Sequence, residues 1–228
     1  SNGYADRIHV LNKMSTDVTP DDLERFGTPT ILLSEILGTL MLGESALHYV
    51  SDARDRLCAP HAHIVPARGC QFATLVQSDD IRSITSVKSW DGINLDYFNM
   101  LQDTTSLVFT KQYGFRFSSC AYQNLCERLP VFSVDFARDA VGKWDGDHIA
   151  WLQVQRSGTV HAVLASWEVR ANGGADDDRD LCMATHPEET IENFPRDMQW
   201  GQGLQLLEDP ADAREGAAPK PFVVTKGE

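Results

Sequence analysis

The sequence has 228 residues, of which 42% are hydrophobic and 23% are charged, so it can bury a core as one large domain or two small ones. Its net charge of −13 argues against nucleic acid, whose binding surfaces are basic. That charge is compatible with a cationic partner such as a Lys/Arg-rich protein, although many proteins are this acidic for solubility alone. No apolar run approaches the roughly 18 to 20 residues that would span a membrane. The five irregularly spaced cysteines favour a reducing compartment, the cytoplasm and also the nucleus.

Strand and helix patterns alternate over the first 66 residues. Residues 8–12 (IHVLN) predict a short strand, and residues 15–27 (STDVTPDDLERFG) predict a capped helix or turn. The apolar run at 31–35 (ILLSE) ends on a polar pair, as buried parallel strands do, and residues 44–57 carry apolar side chains at helical spacing. This order predicts an α/β unit, in which ligands gather at the carboxyl ends of the strands.

From Gly69 onward, strand patterns separated by polar turns dominate. They lie at 70–76, 106–117, 129–136, 149–155, 159–169, 203–209 and again at 221–227. A more helical stretch, DGINLDYFNMLQD, follows the first of them. The residues at 172–180 predict a hairpin loop or disordered tip, and those at 209–220 predict a linker. We therefore predict an α/β unit at 1–66 and an antiparallel β unit at 67–228.

Two carboxylates, Glu35 and Glu44, stand nine residues apart in an otherwise apolar stretch. On one continuous helix they would point to opposite sides, so they converge only if the chain turns back, which Gly38 and Gly43 permit. Burying two acids together is costly unless a cation lies between them, and a guanidinium matches paired carboxylates. Spacing alone favours the alternative, in which Glu35 caps a neighbouring helix and Glu44 begins its own helix in solvent.

The pattern S-E-x-x-G-x-x-x-x-x-E, followed by x-x-L-x-x-V-x-x-A-R-D, resembles the double-glutamate loop of protein arginine methyltransferases. Further segments resemble that family in the expected order. IVPARG resembles the junction between its Rossmann-like domain and its β-barrel, and TVHAVLASWEV resembles a barrel strand. ATHPEETIENFPRDMQWGQGLQLLEDP resembles the Thr-His-Trp loop and the strand after it. Each match alone is weak, but together they cover nearly the whole chain.

The resemblance implies site residues. Glu35 and Glu44 would clamp the guanidinium of the substrate, and Gln199 and Trp200 would correspond to the histidine and tryptophan of the Thr-His-Trp loop. Met198 takes the place of the threonine. This departure resembles the type III, monomethylating branch of the family, and so does the segment LNKMSTDV at 11–18.

The resemblance also implies a methyl donor, S-adenosylmethionine. Residues like Met14 and Ser15 lie against its adenine in the family, whereas without a cofactor Met14 would be a core residue and Ser15 a helix N-cap. The sequence has no glycine-rich strand-to-helix turn of the kind that binds this donor. We therefore expect a fragment that lacks the cofactor-binding N-terminal half and the last barrel strands.

The implied fold is the C-terminal part of a Rossmann-like methyltransferase domain at 1–66, followed by an antiparallel β-barrel at 67–228 with a helical dimerisation arm at about 78–128. The implied function is transfer of a methyl group from S-adenosylmethionine to arginine in basic proteins such as histones, giving monomethylarginine. We expect a homodimer in the full-length protein and an inactive chain by itself. The alternative is a non-catalytic binding or regulatory module derived from a methyltransferase.

Histidines and cysteines give no further site. His61 and His63 form an H-x-H pattern, but no carboxylate or cysteine cluster supports a metal, so we expect solvated loop histidines. His161 lies in a strand pattern and is expected to be a hydrogen-bonded core residue. The cysteines are expected to be buried small apolar groups rather than nucleophiles, because none has the sequence context of a catalytic triad.

Overall fold

The computed structural model describes residues 2–101, 107–109, 117–143, 147, 149–172, 181–188, 200–207 and 220–228. Within these residues, no helix combines the length and apolar content needed to cross a membrane.

Residues 2–66 form an α/β unit of short elements. They are a 3-10 helix (Ser15–Asp17), α1 (Pro20–Leu23), β1 (Ile31–Leu33), α2 (Ala46–Leu57) and β2 (His63–Val65). β1 and β2 pair in parallel, with Leu32 opposite Ile64, as the apolar run predicted. α2 follows the helical spacing of its apolar side chains and buries one face, made of Ala46, Leu47, Val50, Ser51 and Ala53.

Two predictions for this unit were wrong. Residues 8–12 form no strand, and Ile8 and Val10 are 64% and 80% exposed. β1 is not buried on both faces either, since Ile31 and Leu33 are 63% and 75% exposed. The physical reason is the same in both cases: among the described residues, no strand pairs with 8–12 and no element covers the outer face of β1. An apolar pattern becomes a buried strand only where a neighbour supplies hydrogen bonds and contacts.

The rest of the described chain is mainly β-structure. Its strands are β3 (Arg68–Gln77), β4 (Ser89–Trp90), β5 (Ile93–Asn94), β6 (Leu107–Phe109), β7 (Gln123–Asn124), β8 (Leu129–Asp135), β9 (Gly158–Val160), β10 (Ala162–Arg170), β11 (Cys182–Ala184), β12 (Gly203–Leu206) and β13 (Phe222–Val224). Between them lie α3 (Asp79–Thr85) and two 3-10 helices, Asp96–Leu101 and Phe117–Ser119.

Antiparallel pairing builds one larger sheet around β3 and β10. The strand order is β6-β12-β10-β3-β7, with β11 also pairing with β10 and β8 also pairing with β3. β10 pairs with β3 along its whole length, from Ala162 opposite Val76 to Arg170 opposite Arg68. The predicted β unit is thus an antiparallel sheet. Its closure into a barrel and the helical arm at 78–128 stay predictions.

One hydrophobic core joins the α/β unit to the sheet. It packs α2 and β2 against β8 and β10 through Leu47, Val50, Ile64, Val134, Phe136, Trp167 and Val169, all buried. Arg54 of α2 adds two hydrogen bonds across the same boundary, to the carbonyl oxygens of Phe136 (2.9 Å) and Asp139 (3.0 Å). The chain between β1 and α2 contributes Leu37 and Met41 to this core.

Two further segments differ from the prediction. Residues 91–94, expected to be helical, contain the turn of the β4–β5 hairpin. Asp91 (φ 47°) and Gly92 (φ 78°) have the left-handed conformation that two-residue hairpin turns require. Residues 149–155 form no strand beyond a bridge from Val154 to Cys126. Here the backbone of Val154 bonds instead to the turn at Gly227 and Glu228. Most of the predicted tip at 172–180 and most of the predicted linker at 209–220 lie outside the described residues.

Candidate active site

Residues 34–45, called the clamp loop below, connect β1 to α2 and carry Glu35 and Glu44. The loop begins where the parallel pairing ends, because the Ser34 amide still donates to the Val65 carbonyl oxygen at 2.9 Å. Glu35 therefore follows the carboxyl end of a parallel strand, where α/β proteins place ligands. Glu44 lies two residues before α2 rather than within the helix.

The clamp loop turns back between its two glutamates, as Gly38 and Gly43 predicted. A Cβ atom on Gly38 would lie 3.3 Å from Cα of Gly43 and 3.4 Å from Cγ of Glu44, so the middle of the loop touches its end. The Gly43 amide donates to the Leu40 carbonyl oxygen at 2.8 Å and closes the turn. Gly38 is thus required for close approach.

Both glutamate side chains are exposed to solvent, so the fold does not bury the pair in its apolar setting. Neither side chain forms a hydrogen bond or an ion pair with any residue that the structure describes. Two carboxylates on one folded loop, both without a hydrogen-bond or ion-pair partner among the described residues, are available to bind a cation. A guanidinium fits such a pair because its planar donors match carboxylate oxygens.

Two tryptophan side chains hold consecutive carbonyl groups in the middle of the clamp loop. Nε1–H of Trp200 donates to the Leu37 oxygen at 2.6 Å, and Nε1–H of Trp167 donates to the Gly38 oxygen at 2.9 Å. The two indole rings meet edge-on, 5.3 Å between centroids. The structure therefore brings Trp200 against the loop that bears the glutamates. Gln199 and Met198 lie outside the described residues.

Trp167 is a site residue that the sequence patterns did not predict. The available signal was its type: a fully buried tryptophan needs an acceptor for its N–H, and it stands in an otherwise aliphatic strand pattern. Gln71 was missed as well. Its Oε1 accepts the Met41 amide at 3.0 Å, and its Nε2 donates to the Ser166 carbonyl oxygen at 2.7 Å. Both residues lie on the sheet and contact the clamp loop.

Met14 and Ser15 lie at the start of the first 3-10 helix, next to α2. Met14 is 57% exposed and Ser15 is exposed without a capping bond, so neither is the core residue or N-cap that the cofactor-free alternative describes. Arg56 of α2 fixes the segment by donating to the carbonyl oxygens of Ser15 (3.0 Å), Thr16 (3.2 Å) and Val18. The Met14 thioether and the Ser15 hydroxyl are therefore accessible to a ligand.

The other histidines and the cysteines follow the predictions only in part. His61 and His63 are both exposed, but His63 lies in β2 rather than in a loop. Among the described residues, no group of three or more His, Cys, Asp or Glu side chains could hold a metal. His161 accepts the Ser78 amide through Nδ1 at 2.8 Å, as a hydrogen-bonded residue should, but it is half-buried rather than part of the core. Only Cys126 is fully buried, so the prediction of buried cysteines is wrong for the other four, and none of the five forms a disulfide. Burial raises the pKa of four thiols, Cys58, Cys70, Cys120 and Cys126, which disfavours the reactive thiolate.

Comparisons with known proteins point to one kind of enzyme. No family model matches the chain. Protein arginine N-methyltransferase 7 of Drosophila ananassae is 27% identical over 184 residues, which cover 77% of this chain and 26% of the relative. Arginine N(omega)-methyltransferase of Streptomyces achromogenes subsp. streptozoticus is 25% identical over 217 residues, covering 95% of this chain and 54% of the relative. The chain thus spans about a quarter and about half of these relatives.

The fold points the same way. A chain of the Trypanosoma brucei PRMT1 enzyme-prozyme heterotetrameric complex with AdoHcy superposes with a TM-score of 0.73 at 19% identity, covering 100% of this chain and 62% of that chain. At this identity the likeness concerns the fold alone. In sequence and in fold, the chain is therefore similar to arginine methyltransferases.

Proposed function

We propose that the protein methylates arginine with S-adenosylmethionine as the donor, and that Glu35 and Glu44 bind the substrate guanidinium. The observation that carries the proposal is the clamp loop. It bears two exposed carboxylates that have no hydrogen-bond or ion-pair partner in the described part of the chain, and Trp200 holds the middle of the loop. The similarity to arginine methyltransferases gives the reaction class.

The chemistry asked of the two glutamates is binding and orientation. Arginine stays protonated at physiological pH, with a reference pKa of roughly 12.5 to 13.8, so a carboxylate is too weak a base to deprotonate it in advance. Two carboxylates instead hold the guanidinium, localise its positive charge and aim one nitrogen. Positioning of this kind is worth roughly 7 to 11 kcal/mol of the barrier. Proton loss accompanies or follows methyl transfer.

S-adenosylmethionine supplies the electrophilic methyl group when it is bound. Met14 and Ser15 fit a role in holding it, because both side chains are exposed and their backbone is fixed by Arg56. These residues form one wall of the proposed donor site.

The product and the substrate are further parts of the proposal. Gln199 replaces the family histidine and cannot donate or accept a proton as histidine does, which favours a reaction that stops at monomethylarginine. The net charge of −13 favours basic substrates such as histone segments. The name of the Streptomyces relative points to arginine itself as a second substrate.

Assembly and location complete the proposal. Trp90, Tyr97 and Leu101 lie in the predicted arm and are 77%, 77% and 74% exposed, which favours a homodimer contact in the full-length protein. We place the enzyme in the cytoplasm and also in the nucleus. A non-catalytic module derived from a methyltransferase is the alternative, favoured if the natural protein transfers no methyl group.

The test is methyl transfer by the natural protein to a basic peptide and to arginine, with products identified by mass spectrometry. Glu35→Gln and Glu44→Gln should each reduce kcat/KM by on the order of 100-fold, because losing one partner of a hydrogen-bonded charge pair costs about 2 to 5 kcal/mol. Glu24→Gln, at an exposed position in the same unit, is the control and should be active. Clamp variants as active as this control would reject the proposal, and abundant dimethylarginine would reject the monomethylation part.

A further inference from the structure

We infer that Trp167 and Gln71 are positioning residues, and that the sheet, rather than the α/β unit, sets the conformation in which the clamp loop presents its glutamates. The inference rests on the proposed function for its catalytic part. Its structural part, the dependence of the loop on these two side chains, stands independently.

The two ends and the middle of the clamp loop belong to different parts of the molecule. Ser34, its first residue, continues the β1–β2 pairing, and Ser45, its last residue, occupies the N-cap position of α2. The middle is bound to the sheet at three backbone groups. Trp167 and Gln71 of β10 and β3 provide two of these bonds, to the Gly38 oxygen and the Met41 amide, and Trp200, before β12, provides the third.

These bonds lie in a protected environment. Trp167 is 0% exposed and Gln71 is 5% exposed, so water does not replace a lost bond easily, and an unpaired backbone group would be costly there. Met41 is also 0% exposed. Its thioether occupies the space beside Gly69 of β3, where a Cβ atom would collide with Sδ of Met41. The sheet surface is thus shaped to receive the loop.

Among the described residues, no hydrogen bond or ion pair holds either glutamate side chain. The separation of the two carboxylates therefore depends chiefly on the backbone of the loop between them. A guanidinium bound by both requires that separation to be kept. Loss of the Trp167 bond should therefore loosen the loop and misalign the guanidinium, without changing any group that touches the donor.

The test uses Trp167→Phe, which replaces the indole by a smaller aromatic ring in the core and so removes the N–H donor. Trp151→Phe is the matched control, since Trp151 is 89% exposed and distant in sequence from the loop. Amide hydrogen exchange of residues 36–44 should become faster in Trp167→Phe and stay unchanged in the control. In the natural protein, kcat should fall about tenfold while KM for the donor stays unchanged.

A second variant covers the case in which Trp167→Phe does not fold. Gln71→Met has a similar length and removes the bond to the Met41 amide, so it should speed exchange at residues 40–42 and lower kcat in the same way. Trp167→Phe and Trp200→Phe should also combine non-additively, because they hold successive carbonyl groups of one loop.

Unchanged exchange in folded Trp167→Phe and Gln71→Met would overturn the inference, and so would faster exchange with unchanged kcat. A wild-type protein that transfers no methyl group would instead reject the proposed function. The exchange measurement would still decide whether the sheet positions the loop.

Discussion

Ser45 joins the clamp loop to α2 in a backbone conformation that residues with a Cβ atom rarely adopt. Its φ of 61° and ψ of 30° lie in the left-handed region, which costs roughly 1 to 2 kcal/mol for an L-residue other than glycine. It stands directly after Glu44, at the N-cap position of α2. Burial of Ala46 and Leu47 in the first turn of α2 offsets the cost.

The effect of a substitution at Ser45 should therefore depend on how well the new residue tolerates a left-handed backbone conformation. Ser45→Val should destabilise the fold by about 1 to 3 kcal/mol and lower methyl transfer, because a β-branched residue is strained there. Ser45→Gly should be nearly neutral, since relief of the strain is offset by the greater entropy of the unfolded chain. Urea denaturation measures the free energy of unfolding of both variants. Ser86→Val is the control, because Ser86 is extended (φ −130°); equal losses at 45 and 86 would contradict the explanation.

At this scale, the sequence predicted the turn in the clamp loop but not its details. Gly38 and Gly43 indicated a reversal because glycine permits close approach, and the close approach is found. Ser45 could not be predicted, since serine does not mark a left-handed residue. The partners of Trp167 and Gln71 could not be predicted either, because each lies more than 25 residues from the loop group it contacts.

Among the elements, the 3-10 helix that carries Ser15 is held from two sides. Arg56 binds its carbonyl oxygens from α2. On the other side, Nζ of Lys13 contacts both carboxylate oxygens of Asp22, at 2.6 and 2.8 Å, and Asp22 also accepts the Thr19 amide at 2.8 Å. The hydrogen bond from Lys13 and those from Thr19 lower the pKa of Asp22 from 3.8 to about 2.

The lowered pKa of Asp22 predicts at which pH the contacts of this segment are lost in acid. The pKa of Asp22 is lower in the folded state than the unfolded value of 3.8. The Asp22 contacts therefore stabilise the segment fully at pH values above 3.8 and are lost as the pH falls toward about 2. The Asp22 carboxyl resonance and the Thr19 amide should both titrate near 2 by NMR. Lys13→Met should move that midpoint up toward 3.8, and Lys88→Met, at a distant exposed lysine, should not. An unchanged titration midpoint of Asp22 in Lys13→Met would show that Lys13 does not cause the lowered pKa.

Sequence patterns predicted those strands that have neighbours. The pattern at 70–76 became β3 and that at 159–169 became β9 and β10, which pair inside the described structure. The patterns at 8–12 and 149–155 did not, although they look equally apolar. The local spacing of apolar residues indicates which face of a segment could be buried, but a strand also needs a neighbouring strand for its backbone hydrogen bonds. Which segment becomes that neighbour depends on residues far away in the sequence.

For the whole molecule, donor binding is the property that the described residues support least. Met14 and Ser15 are accessible, but the sequence has no glycine-rich strand-to-helix turn to receive a nucleoside group. We expect the 228-residue chain alone to bind S-adenosylmethionine weakly, with Kd above about 1 mM. Isothermal titration calorimetry measures this. Micromolar binding would contradict the expectation and would show that the chain forms a donor site by itself.

The core shared by α2, the clamp loop and the sheet has a consequence for protein engineering. Residues 31–57 contain both glutamates, the turn between them and the helix after them, so they look like a portable motif. Transplanted onto another α/β scaffold, they would carry the two acids but lose the indole and amide groups that hold the loop from outside. A graft should therefore recover arginine recognition only when the β3–β10 surface and Trp200 are transferred with it.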